Sequence, residues 1–165
     1  APGIYRENVV HGNSGTSADR IYFIGDPDAD HFPAVAPGAV RITIADANEY
    51  AGTGTNVYVI TTGGRDYITW KNVYVDGGAT FGRAAYNDAN TSYGIYSSSE
   101  NDYLEVINCM IQHVTVGCRN VAYVIDSVIW NCVNYGIQYG KLVDRCVIWN
   151  CYYSVNLADV VINSI

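Results

Sequence analysis

The chain has 165 residues, 49% of them apolar, and a net charge of −7 from nine Lys and Arg against sixteen Asp and Glu. This length and apolar content suit one domain with a sizeable core and exclude a disordered chain. So few cations cannot line a nucleic acid, and no apolar run approaches the ~20 residues of a membrane helix. Fifteen Tyr, only two Lys and no long 3.6-residue periodicity predict an all-β protein.

In chain order, Pro2 to Val9, Ser14 to Ser17 and Ile21 to Ile24 are short β-branched and turn-forming runs. Asp26, Asp28 and Asp30 follow Gly25 at alternate positions. Converging carboxylates of this kind suit Ca²⁺, but Pro27 interrupts them and neither the glycine nor the distal Glu of a calcium loop follows. A calcium site and a solvated turn are both open here. Val40–Ile44 and Val57–Ile60 read as further strands. Lys71 and Asp76 flank a well-patterned strand and read as surface charge or a catalytic pair. His11, His31 and His113 share no metal-ligand spacing.

An insertion over residues 79–92 swells one repeat to 36 residues. Arg83, Tyr86, Asn87 and Asp88 are its polar, sugar-compatible members, and a loop that only covers the neighbouring aromatic face is equally open. After it the sequence repeats. Val106–Ile111, Val124–Ile129, Val143–Ile148 and Val161–Ile165 align, and their Cys/Ser positions 109, 127, 146 and 164 advance by 18, 19 and 18 residues. His113, Asn131 and Asn150 form a second column; Gly117 and Gly136 a third; Cys118, Ile137 and Val155 a fourth. Trp70–Val75 fits the same template, and Tyr93-Gly94-Ile95 matches Tyr135-Gly136-Ile137.

No single unit can bury its apolar face alone, so the repeats are expected to stack as parallel strands about 4.8 Å apart. Ile111, Ile129 and Ile148 then lie over one another, and Asn131 and Asn150 form a ladder at a bend, where Asn tolerates positive φ. His113 substitutes for Asn in that ladder. Trp130 and Trp149 each follow an inward Ile, so alternation turns both rings outward. With Tyr135 and Tyr153 they are expected to make one aromatic strip, suited to sugars or to a partner subunit, or else a Trp stack covered by a further domain or loop.

Five Cys cannot all pair internally. They read as small apolar wall residues. Cys132 and Cys151 share a column at about 4.8 Å, inside the ~4.4–6.8 Å disulfide window, whereas Cys109 and Cys146 are two repeats apart.

These phrases together, from Pro2-Gly3-Ile4-Tyr5 through Ile107-Asn108-Cys109-Met110-Ile111 to the Tyr-Gly-Ile units, resemble the pectate-lyase-like superfamily of right-handed parallel β-helices. The resemblance spans the chain and implies that fold as a single domain over 1–165. A left-handed β-helix has coils of similar length, but its hexapeptide rhythm is not visible. Neither end carries a cap, so a segment of a longer chain or end-to-end assembly is expected. The resemblance is specific for fold and nearly silent on activity. Three readings follow: a non-enzymatic spike, fibre or surface protein of a virion or cell, contacting glycans or subunits; an extracellular polysaccharide lyase or glycoside hydrolase; and a self-associating filament subunit. The acid columns break after one repeat, and Asp126 and Asp144 fall in different columns, which favours the first.

Overall fold

A computed structural model describes residues 3–6, 9–25, 40–43, 56–77 and 91–165. The described residues are all-β, and every strand pair is parallel. One sheet has six short strands, in the order β1 (Gly3–Arg6), β4 (Val40–Thr43), β7 (Tyr74–Asp76), β9 (Met110–Gln112), β11 (Val128–Trp130) and β13 (Val147–Trp149). The other runs β14 (Tyr153–Ile162), β12 (Tyr135–Asp144), β10 (Val116–Ile125), β8 (Ser92–Ile107), β5 (Val57–Thr61) and β2 (Val9–Val10). The strands β3 (Ile21–Ile24) and β6 (Ile68–Lys71) complete it, β6 pairing with the far end of β8.

The expected register is present. Ile129 pairs with Ile111 on one side and Ile148 on the other, and Val75 extends this column to Ile42. Trp70 lies opposite Val106 across the enlarged repeat, and Tyr93 and Tyr135 both pair with Val116.

Each regular repeat bends three times, always at a residue with positive φ. The corner columns are Asn108, Asp126, Arg145 and Asn163; His113, Asn131 and Asn150; and Asn120, Tyr139 and Leu157. The last column bends β10, β12 and β14 in mid-strand. Among the described residues, six of the twelve such non-Gly residues are Asn, the residue whose short amide best tolerates this region. Sequence alone exposed one of these corners; Tyr139 and Leu157 gave no local signal for theirs.

The core lies between the sheets, and the glycine column lets them meet. A Cβ on Gly117 would stand 2.5 Å from the Gly136 carbonyl oxygen and 2.7 Å from Ile129 Cγ2, too close for any side chain. The Cys/Ser column is also explained. Ser127 Oγ accepts the Cys109 amide at 3.1 Å and donates to the Ile125 carbonyl at 2.8 Å, and Ser164 Oγ accepts the Cys146 amide at 3.1 Å. Burial pushes the Cys109 thiol up to about 12, so it is unreactive near neutrality.

Candidate functional site

Alternate residues of the six-stranded sheet point away from the core and build one continuous face. Asp76, Gln112, Trp130 and Trp149 share a register column, and Arg41 and Tyr74 share the column two residues before it. The Arg41 guanidinium lies 5.0 Å from the Tyr74 ring centroid. The Tyr74 ring leans across β9 to stack on Trp130 at 6.1 Å and 17°, and Trp130 stacks on Trp149 at 6.4 Å and 5°. Such separations lie within the attractive range for offset aromatic pairs, about 4.5–7 Å. Trp149 is 52% exposed and Trp130 is half-buried, so the row opens to solvent toward β13.

Asp76 anchors the other end. Its carboxylate is 1% exposed, and an unpaired buried charge would cost several kcal/mol. Arg41 Nη2 donates to Oδ2, as does Gln112 Nε2 at 2.8 Å; Tyr74 Oη lies 3.5 Å from the same oxygen. His113 Nδ1 meets Oδ1 at 3.2 Å. Burial first, and then the Asp76 charge, raises the Tyr74 hydroxyl above its ordinary value.

From Asp76 a polar ladder runs along the corner beside the aromatic row. Asn150 Nδ2 donates to Asn131 Oδ1 at 2.5 Å, and Asn131 Nδ2 lies 3.4 Å from His113 Nε2. With the His113 proton on Nδ1, each link donates in one direction, ending on the carboxylate. This assignment follows from completing the network. Every rung from β7 to β13 thus carries a flat ring or an amide, with the Gln112 amide and Asp76 carboxylate buried and one guanidinium at the β4–β7 end.

The structure unites Trp130 with Trp149 and makes His113 part of the Asn ladder. It divides the expected single aromatic strip. Tyr135 and Tyr153 stack at 5.3 Å and 16°, but on the eight-stranded sheet, beyond the corner at Asn131 and Asn150. These rings form a second column, extended by Tyr152, which meets Tyr153 edge-on at 4.6 Å.

Lys71 and Asp76 are no pair. Lys71 is exposed on β6 of one sheet, whereas Asp76 is buried on β7 of the other; the surface-charge reading fails for Asp76 because four neighbours replace its water. His11 is buried, its Nε2 accepting from Trp70 Nε1 at 3.1 Å. Arg83, Tyr86, Asn87 and Asp88, and the calcium candidates Asp26, Asp28 and Asp30, lie outside the described residues, as does His31. Among the described residues, no three His, Cys, Asp or Glu converge as metal ligands.

Arg41, Tyr74 and Gln112 are the residues that sequence reasoning missed. Gln112 could have been found, because it occupies the Trp position of the preceding repeat. Arg41 precedes the regular repeats and carries no such mark. No protein-family model, no curated protein and no solved structure matches this chain.

Proposed function

We propose that the chain is a right-handed parallel β-helix of the pectate-lyase-like kind and that it serves as a non-enzymatic recognition element of a virion or cell surface. Its ligand is a glycan laid across β7 to β13. The observation that carries this reading is the Arg41–Tyr74–Trp130–Trp149 row with the Asp76–His113–Asn131–Asn150 ladder beside it. Sugars offer apolar C–H faces and hydroxyl edges together, and this face matches both with rings and amides. Three strand intervals span about 14 Å, the scale of an oligosaccharide.

Bends rich in Asn and repeats of unequal length support the right-handed form. Engagement of Asp76 by Arg41, Gln112 and His113 supports binding over hydrolysis, which requires a carboxyl able to exchange a proton with substrate.

Titrating intrinsic Trp fluorescence with neutral and acidic oligosaccharides tests the proposal. Saturable binding by one class is expected, with about tenfold weaker affinity in Trp149→Ala and a smaller loss in Trp149→Phe. Equal affinity in Trp149→Ala would refute the site, and depolymerisation of any polysaccharide in the panel would refute the non-enzymatic role.

A further inference from the structure

Five cysteines line the stack, and all are thiols. Only one pair occupies adjacent rungs in one column. Cys109 and Cys146 are separated by the Ser127 rung: the Val128 amide donates to the Cys109 carbonyl and the Val147 amide to the Ser127 carbonyl. Cys118 is flanked by Ile95 and Ile137. Cys132 and Cys151 each lie two residues beyond the paired Trp130 and Trp149, in the same register. Each thiol donates to the carbonyl of its own Trp, Cys132 at 3.7 Å and Cys151 at 3.4 Å. The Cys132 and Cys151 side chains are close enough to interact directly.

The local backbone permits a bond. Register neighbours in parallel strands stand about 4.8 Å apart, inside the ~4.4–6.8 Å Cα window, and their Cβ atoms must close to about 3.8 Å. Neither residue lies within a strand: β11 ends at Trp130 and β12 starts at Tyr135, and β13 ends at Trp149 and β14 starts at Tyr153. Both cysteines thus lie at corners between strands, where Val133 N donates to the Val114 carbonyl at 2.9 Å and Tyr153 N to the Asn134 carbonyl at 2.8 Å. Access is one-sided, because Cys132 is buried whereas Cys151 is half-buried.

We propose that Cys132 and Cys151 form a redox-modification site, closed to an intrachain disulfide by a small-molecule disulfide such as oxidised glutathione. The Cys151 thiolate attacks one glutathione sulfur, breaking that S–S bond and releasing one glutathione thiol. The buried Cys132 thiol then attacks the Cys151 sulfur and passes its proton to the departing glutathione sulfur, releasing the second thiol. Two protein thiols are oxidised to one disulfide, and glutathione disulfide is reduced to two thiols. The product ties the two rungs beneath the Trp130–Trp149 pair and removes both S–H donors from the Trp carbonyls. This inference is independent of glycan binding.

The test incubates the reduced chain with oxidised glutathione at mildly alkaline pH, followed by intact mass and chymotryptic peptide mapping. A loss of two hydrogen masses and one Cys132–Cys151 cross-linked peptide are expected. The Cys109→Ser/Cys118→Ser/Cys146→Ser triple variant should react likewise, and Cys151→Ser and Cys151→Ala should lose the cross-link. An unchanged mass, a lasting glutathione adduct on Cys151, or a bridge mapped to Cys118–Cys132 in the unmutated chain would each overturn the proposal.

Discussion

The two halves of the molecule hold the same register by different means. From Val106 onward, pairing partners sit 18 or 19 residues apart, so Ile111, Ile129 and Ile148 recur almost on schedule. Before it, Gly3 pairs with Val40, Arg41 with Tyr74 and Ile21 with Ile68, across connections of unequal length. The inward column nevertheless continues from Ile111 through Val75 to Ile42. Loop closure costs grow only slowly with length, so a long connection is cheap if its ends return to a matching strand. Column identity, rather than spacing, is what the fold requires.

This comparison is sharpened most by removing one side chain from each half. Ile129 is fully buried between two isoleucines, and Ile129→Ala is expected to cost about 2–5 kcal/mol. Ile42 is 6% exposed, and Ile42→Ala should fall at the lower end of that range or beneath it. Urea denaturation measures both. Equal losses would show that the irregular rungs are packed as tightly as the regular ones.

The same contrast decides how much could be read from sequence. Stacked isoleucines, outward Trp130 and Trp149 and the Asn131–Asn150 ladder were legible because each recurs at a fixed step. Half of the candidate site was not. Tyr74 reaches Trp130 only by leaning over β9, which is a rotamer property, and Arg41 finds Asp76 through a register that no spacing announces. Asp76 resembled surface charge because Gln112 and His113, which bury it, lie in the next rung. Serine in the Cys column was legible only as a spacing; that its hydroxyl accepts an amide from the neighbouring rung was not.

A milder perturbation, acid, should loosen the irregular half first. His11 is buried beside Phe23 and Trp70, with ring centroids at 4.6 and 5.5 Å, and its Nε2 is occupied as an acceptor. Burial lowers its pKa below the ordinary 6.5. The fold thus favours the neutral ring: its contribution is complete above pH 6.5 and is lost as pH falls through the lower folded value. Protonation would set two N–H donors against each other. Thermal unfolding between pH 8 and pH 5 should show a larger loss in the unmutated chain than in His11→Gln, which keeps an acceptor and does not titrate. Hydrogen exchange should show residues 9–25 opening before 106–165; parallel pH profiles for the two proteins would disprove the assignment.

The smallest effect is expected within the regular half, at the corner column where Asn108 and Asn163 flank Asp126 and Arg145. Arg145 grips Asp126 through Nε at 2.6 Å and Nη2 at 3.0 Å, and also donates to Asp144. This grip lowers the Asp126 carboxyl pKa below 3.8, so the pair's contribution holds above that pH and disappears in stronger acid. The pair is exposed and screened by salt, and Arg145 holds a φ of 50° that Asn adopts with less strain. Arg145→Asn removes the ion pair and relieves the backbone. In ~0.5 M salt the screened pair contributes least, and the substitution should leave Tm unchanged or raise it slightly. A clear drop in Tm at that salt would mean that Arg145 stabilises the corner through packing of its stem rather than through charge, and that this column depends on side-chain contacts more than on tolerance of positive φ.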